Sequence, residues 1–235
     1  MNNSLMIYHH LGLGDHIFCN GLIRELYKKY TTIVFPVKFA NLNSVKIMFS
    51  DLNINYVICN DDQQMIDLGN NISDQFVKLG IGFFGYNFDI NSHKSFVELF
   101  YDQAHIDYSK RWSSFFIPKF ILNNIQHKPK SNKYIFVHDD IERGYKIQDK
   151  YILTGYEVYR PDHTLAKNSE NTIFDYLDII KNAEEIHCMD SSFAAVIDHY
   201  PDLFHKKKFI HQYAKKDIDP VYFPPDYRNN WNILC

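Results

Sequence analysis

The sequence lacks the signals that would place it in several special classes. Its four cysteines, Cys19, Cys59, Cys188 and Cys235, form no CxxC pair, which fits buried thiols in a reducing compartment. No apolar run approaches the roughly 18 residues of a membrane-spanning helix. The amino-terminal segment shows no basic and apolar signal peptide. We therefore expect a cytoplasmic protein, with peripheral attachment to the inner face of the membrane left open.

A strong charge of either sign is also lacking. The net charge is −3 and the isoelectric point is near 6.4, which argues against a nucleic-acid partner. The basic runs at 206–208 and 215–216 are short and typical of a solvated face. Hydrophobic residues make up 46% of the 235 residues, which is enough for a sizeable core and indicates a folded chain.

Strand-like and helix-like segments alternate along the chain. Strands are predicted at 5–8, 32–36, 55–59, 134–138, 156–159, 185–189 and 208–211, and helices at 17–30, 43–51, 95–105, 172–182 and 192–199. A loop is predicted at 80–86 and a polar linker at 123–133. This order predicts an α/β fold of two Rossmann-like parallel-sheet domains, residues 1–128 and 129–235, which face a ligand-binding cleft.

The most informative motif is the glycine turn at residues 12–16, between the first strand and the first helix. Such a turn suits an anionic ligand, but Ile17 stands where a dinucleotide fingerprint needs its third glycine, and no acidic residue follows the next strand. The carboxylate of Asp15 would repel a phosphate. Two interpretations of Asp15 stay open at this point, a helix N-cap and a catalytic group.

A second polar group follows the strand predicted at 134–138. Arg143 can bind a diphosphate through two parallel hydrogen bonds. His138, Asp139 and Asp140 also fit a metal site or an ordinary polar turn. Because no second cluster with ligand spacing accompanies them, we expect no metal and no cofactor.

A third polar group, Asp190, Ser191 and Ser192, follows the strand predicted at 185–189 and begins a helix. Its hydroxyls and free N–H groups suit phosphate oxygens, whereas the plainer alternative is an ordinary capped helix start. Each of the three motifs is weak by itself. Together they place polar strand-to-helix turns in both halves of the chain.

These motifs resemble those of GT-B glycosyltransferases similar to the bacterial lipopolysaccharide heptosyltransferases. In that family a turn of glycine followed by Asp opens the acceptor domain, and this Asp is the proposed general base. Asp15 resembles that residue in its position. Asp190 and Ser191 resemble the Asp-Ser/Thr-Gly turn that holds the donor phosphates. His138 and Arg143 resemble the His/Arg loop of GT-B fucosyltransferases. The sequence departs from the heptosyltransferase pattern at Ser192 and Ala195, where that family has Gly and His.

The resemblance implies an inverting, metal-independent glycosyltransferase of hexosyl or heptosyl type. It would move a sugar from a nucleotide-diphosphate donor to a glycan or lipid-linked acceptor, in surface-polysaccharide or glycoconjugate synthesis. Asp15 is the expected base, and the expected substrate-binding residues are Gly12, Gly14, His16, His138, Arg143, Asp190, Ser191 and Ser192. Two alternatives remain: a non-catalytic nucleotide-sugar-binding protein, and a metal-dependent hydrolase centred on His138, Asp139 and Asp140.

Overall fold

The computed structural model describes residues 3–85, 94–120, 122, 125, 127–141, 144–161, 171–212 and 226–234. The chain divides into two compact units, Met1–Phe120 and Ile121–Cys235. Each unit contains one sheet in which all paired strands are parallel. The predicted class, two parallel-sheet α/β domains, is therefore confirmed.

The sheet of the first unit has the strand order β3-β2-β1-β4. Its strands are β1 (Ser4–Tyr8), β2 (Thr32–Val37), β3 (Ile54–Ile58) and β4 (Val77–Gly80). Leu5 of β1 lies opposite Ile33 on one side and Val77 on the other. Because β1 is central, its apolar residues are fully buried, as expected for a strand of a parallel sheet that is covered on both faces.

Six helices belong to this unit within the described residues: α1 (Leu13–Phe18), α2 (Asn20–Tyr27), α3 (Leu42–Met48), α4 (Asp62–Asn71), α5 (Phe96–Gln103) and α6 (Lys110–Ser113). The single helix predicted at 17–30 is wrong in two respects. It begins earlier, at Leu13, and Cys19 separates it into α1 and α2. The earlier start places the residues of the glycine turn in the first helical turn.

The last segment of the first unit packs back onto α1 and α2. The hydroxyl of Tyr101 donates to the carbonyl of Phe18 at 2.8 Å and accepts from the N–H of Leu22 at 3.2 Å. The side chain of Asn20 bonds both backbone groups of Phe116, at 3.0 and 3.1 Å. These contacts fix the two helices that follow the glycine turn.

Gly21 lies where α2 crosses α6, and we expect Gly21→Ala to destabilise the chain. A Cβ at this position would lie 2.1 Å from the carbonyl oxygen of Lys110, a backbone atom that cannot turn aside. In an open helix the same change stabilises by about 1 kcal/mol. Here the clash makes the same substitution destabilising, and we expect the free energy of unfolding to fall by about 2 kcal/mol. Urea denaturation checks this, with Gln63→Ala on exposed α4 as the control that stays near wild type.

The sheet of the second unit has the order β6-β5-β7-β8-β9. Its strands are β5 (Tyr134–His138), β6 (Glu157–Tyr159), β7 (Glu185–Met189), β8 (Lys207–His211) and β9 (Trp231–Leu234). Its α-helices within the described ranges are α7 (Leu177–Asn182) and α8 (Ser192–His199). The buried carboxylate of Asp198 accepts from the indole of Trp231 and from two backbone N–H groups before β9, so it secures the edge strand.

Cys19, Cys59 and Cys188 are buried free thiols, as the sequence predicts, and Cys235 lies outside the described residues. Burial raises the pKa of the Cys19 thiol well above its usual range. Among the helices that the structure describes, none has the length and apolar character needed to cross a bilayer.

Candidate functional site

The sequence-predicted site residues that the structure describes lie at or just beyond the carboxyl ends of strands in each sheet. In an open parallel sheet all strands end at one edge, and ligands bind outside that edge. In the first unit the glycine turn follows β1. In the second unit His138 ends β5 and Asp190 follows β7, and these two strands are neighbours.

Asp15 is the third residue of α1, and Gly12 occupies the N-cap position. The N-cap interpretation of Asp15 is therefore wrong, because the helix starts earlier than the sequence pattern indicated. The half-buried carboxylate lies over Gly12, so that a Cβ at residue 12 would be 2.6 Å from its Oδ2 atom. The absence of a side chain at Gly12 thus determines where this carboxylate can lie. Gly14, half-buried, is the second residue of the helix.

His16 is fully buried beneath this turn. Its Nδ1 lies 2.8 Å from the carbonyl oxygen of Gly12 and its Nε2 lies 3.2 Å from that of Pro36. Burial lowers the pKa of His16 to about 4, so the ring is neutral at pH 7 and donates its single N–H to one of these oxygens. These contacts link the start of α1 to the end of β2, and they hold the backbone of the turn in place.

His9 packs beside His16, with ring centroids 4.4 Å apart, and is also buried. Burial lowers the pKa of His9 well below its usual range, and the neighbouring His16 adds to this effect. The interior behind the glycine turn is therefore built from neutral imidazole rings. Sequence reasoning did not single out His9, because a histidine next to a strand carries no distinctive pattern.

In the second unit the structure brings together two of the predicted residues. The Oγ atom of Ser191 lies 3.0 Å from Nδ1 of His138, although the residues are far apart in sequence. The ring of His138 also packs on Phe193, at 4.4 Å between centroids. One polar pair from β5 and the β7–α8 turn therefore stands at the carboxyl edge of this sheet.

Ser191 is the N-cap residue of α8, but its side chain makes no capping hydrogen bond. Its hydroxyl pairs with His138 instead. The first N–H groups of a helix have no partner within the helix, and they attract anions together with the positive end of the helix dipole. Ser192, the first residue of α8, is half-buried beside them. The turn can therefore offer N–H and hydroxyl donors to a phosphate.

The carboxylate of Asp139, the residue after His138, is held by groups from two other segments of the chain. Its buried carboxylate accepts from the N–H of Ile147 at 2.7 Å and from Nε of Arg160 at 2.9 Å. A divalent ion at Asp139 would have to displace this guanidinium, so the geometry does not favour the hydrolase alternative. Among the residues that the structure describes, no group of three or more His, Cys, Asp and Glu side chains is arranged to hold a metal ion.

Asp190 is buried, and its carboxylate accepts a hydrogen bond from the hydroxyl of Tyr227. The contact orients Asp190 within the β7–α8 turn. Tyr227 was missed in the sequence because it lies in a polar segment without periodicity. Arg160 was missed although it directly follows β6, where the same strand-end rule applies. Arg143, the predicted diphosphate ligand, lies outside the described residues.

Two solved structures have a fold similar to that of this chain over most of its length. TibC, an iron-containing dodecameric glycosyltransferase from enterotoxigenic E. coli, aligns with 88% of the chain at a TM-score of 0.52 and 9% identity. A glycosyl transferase family 9 protein from Veillonella parvula aligns with 98% of it at a TM-score of 0.50 and 8% identity. The chain has a glycosyltransferase fold. No protein-family model and no curated protein matches the sequence.

The match covers 57% of TibC and 85% of the Veillonella protein, so the chain spans little more than half the length of TibC. At such low identity the likeness concerns the glycosyltransferase fold alone. The fold places the carboxyl-edge residues of both sheets where proteins with parallel sheets bind ligands.

Proposed function

We propose that the protein is a glycosyltransferase that uses a nucleotide-diphosphate sugar as donor. The observation that carries this proposal is that both solved structures aligned with most of the chain are glycosyltransferases. The polar residues at the carboxyl edges of the two sheets support it, because they supply the two functions that such a reaction needs. One unit offers a carboxylate, and the other offers donors for phosphate.

The donor diphosphate binds at the β7–α8 turn in this proposal. The N–H groups at the start of α8 and the hydroxyls of Ser191 and Ser192 donate to its oxygens. Arg143 adds a positive charge, as the resemblance to the fucosyltransferase loop implies. Arg160 supports the same site from β6, because Asp139 aligns its guanidinium at the sheet edge. His138, whose Nδ1 lies beside the hydroxyl of Ser191, contacts the donor at the same place.

The acceptor is activated by Asp15 in the first unit. Its carboxylate takes the proton of an acceptor hydroxyl, and the hydroxyl oxygen bonds to the anomeric carbon of the donor. The bond from that carbon to the diphosphate breaks on the opposite face, so the configuration inverts and a nucleoside diphosphate leaves. The N–H groups and guanidinium at the donor site stabilise the charge that develops on it, without a metal ion.

Gly12, Gly14 and His16 shape the acceptor side of this reaction. The missing side chain at Gly12 lets the carboxylate of Asp15 lie at the turn, and His16 holds the turn from beneath. We place the acceptor among glycans or lipid-linked glycans of surface-polysaccharide or glycoconjugate synthesis. The reaction then occurs in the cytoplasm or at the inner face of the membrane, with no nucleic-acid partner.

A thermal-shift screen with UDP-, GDP- and ADP-sugars tests the donor site. A ligand at 100 times its dissociation constant stabilises the folded state by about 2.7 kcal/mol, so one nucleotide sugar should raise the melting temperature by several degrees. Ser191→Ala and Arg143→Ala should each weaken that binding roughly tenfold. Ser131→Ala, an exposed serine before β5, is the matched control and should bind like wild type.

Two outcomes would contradict parts of the proposal. If no nucleotide sugar changes the melting temperature, the donor site does not exist. If a nucleotide sugar binds but no acceptor yields product, the alternative of a non-catalytic binding protein is correct.

Chelation with EDTA should leave transfer unchanged, whereas a metal-dependent hydrolase would lose its activity.

A further inference from the structure

The carboxyl edge of the first sheet carries an exposed aromatic ring that the proposed reaction has not used. Phe83, in the short 3-10 turn Gly82–Phe84 after β4, is 61% exposed. Its ring meets that of His10 edge to face at 4.9 Å and that of Phe96 at 5.0 Å. An exposed ring that is supported from behind by other rings offers a firm apolar face to a ligand.

The turn that presents Phe83 is rigidly held. The side-chain amide of Gln103 accepts from the N–H of Gly82 at 2.6 Å and donates to its carbonyl at 3.1 Å. Gly82 has a φ of +69°, which favours glycine, and a Cβ there would lie 2.9 Å from the ring of Phe100. Because both backbone groups of Gly82 are bonded to one side chain, the position of the next residue is fixed.

A carboxylate lies beside this platform. Nδ1 of His10 is 3.4 Å from Oδ2 of Asp62, whose side chain is 43% exposed at the start of α4. His10 thus contacts both Phe83 and Asp62. This part of the sheet edge therefore combines an apolar ring face with an accessible hydrogen-bond acceptor. His10, which contacts both, follows β1, the strand that leads to Asp15.

We propose that Phe83 and Asp62 bind a saccharide ring of the acceptor, with the ring's C–H face stacked on Phe83 and its hydroxyls bonded to Asp62. This inference rests on the proposed transfer, for which it supplies a binding site for the acceptor's sugar. A sugar ring has an apolar face and a polar rim, and the exposed ring and carboxylate match both. A lipid chain would gain nothing from the carboxylate, whose negative charge would also be repelled by anionic headgroups.

Binding of simple methyl glycosides tests this site without any donor. Saturation-transfer NMR with the methyl glycosides of glucose, galactose, mannose and N-acetylglucosamine should show one that contacts the protein through the C–H protons of one ring face. Phe83→Leu keeps an apolar side chain but removes the aromatic face, and it should weaken that binding roughly tenfold. Phe83→Trp should retain it. Asp62→Asn should weaken binding through the lost charged acceptor.

Phe116→Ala is the matched control. Phe116 is 53% exposed in the same unit, but its ring packs on Arg24, which contacts Asp51 before β3 at the opposite edge of the sheet. This variant should bind the glycoside like wild type. Nucleotide-sugar binding should be unchanged in every variant, which separates a failure of this inference from a failure of the donor site.

Three results would overturn the inference. The first is that no glycoside of the panel binds the wild-type protein. The second is that Phe83→Leu binds the glycoside as well as wild type does. The third is that Phe83→Leu loses binding to vesicles of phosphatidylcholine and phosphatidylglycerol while its glycoside binding is unchanged, which would assign Phe83 to a membrane surface.

Discussion

Asp15→Asn should lower the rate of sugar transfer by roughly 10²- to 10⁴-fold, the usual contribution of a positioned general base. The variant keeps the size and shape of the side chain, so the turn over Gly12 and the buried contacts of His16 persist. An amide has no basic oxygen that can accept the acceptor's proton. The proposed donor site is on the other unit, and its affinity for the nucleotide sugar should therefore stay within about twofold of wild type.

Initial rates with the donor found by thermal shift measure this effect. Asp74→Asn changes an exposed carboxylate that lies 3.9 Å from the ammonium of Lys78; it is the matched control and should transfer at the wild-type rate. Gly12→Ala is a second test, because its Cβ would push the flexible carboxylate of Asp15 aside without moving backbone. It should reduce the rate with little loss of stability. Full turnover by Asp15→Asn would exclude Asp15 as the base.

The second large effect is acid unfolding between pH 6.5 and 4. Burial lowers the pKa of five histidines: His9, His10, His16, His187 and His211, the last to about 3. Asp62 partly offsets this effect at His10, and Glu185 partly offsets it at His187. In the unfolded chain each histidine takes up its proton near pH 6.5.

Whether stability rises or falls with pH depends on which state, folded or unfolded, binds more protons. Below pH 6.5 the unfolded chain binds more protons than the folded one, so stability is complete above that pH and falls as the pH decreases. Each extra proton contributes a slope of about 1.4 kcal/mol per pH unit. Near pH 5 the first unit has about two to three such protons and the second has about one to two. The slope of the first unit therefore reaches about 3 to 4 kcal/mol per pH unit, enough to unfold a typical domain within two to three units.

Urea denaturation from pH 7.5 to 4.5 measures this slope. Trp112 lies in the first unit and Trp231 in the second. The single variant Trp231→Phe keeps Trp112 as the fluorescent reporter of the first unit, and the single variant Trp112→Phe keeps Trp231 as the reporter of the second. Both reporters should record the loss, because buried histidines lie in both units. His16→Gln should reduce the slope of the first unit by about one proton and leave the second unchanged. A flat profile down to pH 4.5 would contradict the prediction.

The sequence predicts those parts of the fold whose apolar runs are long and bounded. β1, β2, β5 and β7 appear at or within a residue of their predicted positions, since each is an apolar or β-branched run between polar segments. The missing elements have weak patterns. α4 carries few apolar residues, β4 has four residues inside a glycine-rich stretch, and β9 is a half-exposed edge strand of four residues.

The sequence could predict only those parts of the candidate site whose residues are close together along the chain. The glycine turn and the Ser191 turn follow strands directly, so periodicity locates them. The pairing of Ser191 with His138 depends on β5 and β7 being neighbours in the sheet, which the chain order does not specify. Phe83 falls in the predicted loop at 80–86, and the hydrogen bonds that hold its turn come from Gln103, on a helix later in the chain.

The packing of residues 101–116 onto α1 and α2 affects the biosynthesis of the protein. The turn that bears Asp15 leaves the ribosome early, but Phe18, Asn20 and Leu22 gain their partners only when Tyr101 and Phe116 have been made. At about 5 to 20 residues per second, this takes on the order of 5 to 20 seconds. During that interval the carbonyl of Phe18, the amide of Asn20 and the N–H of Leu22 lack these partners. A nascent chain paused before residue 101 therefore has not yet formed the hydrogen bonds that fix the two helices after the Asp15 turn.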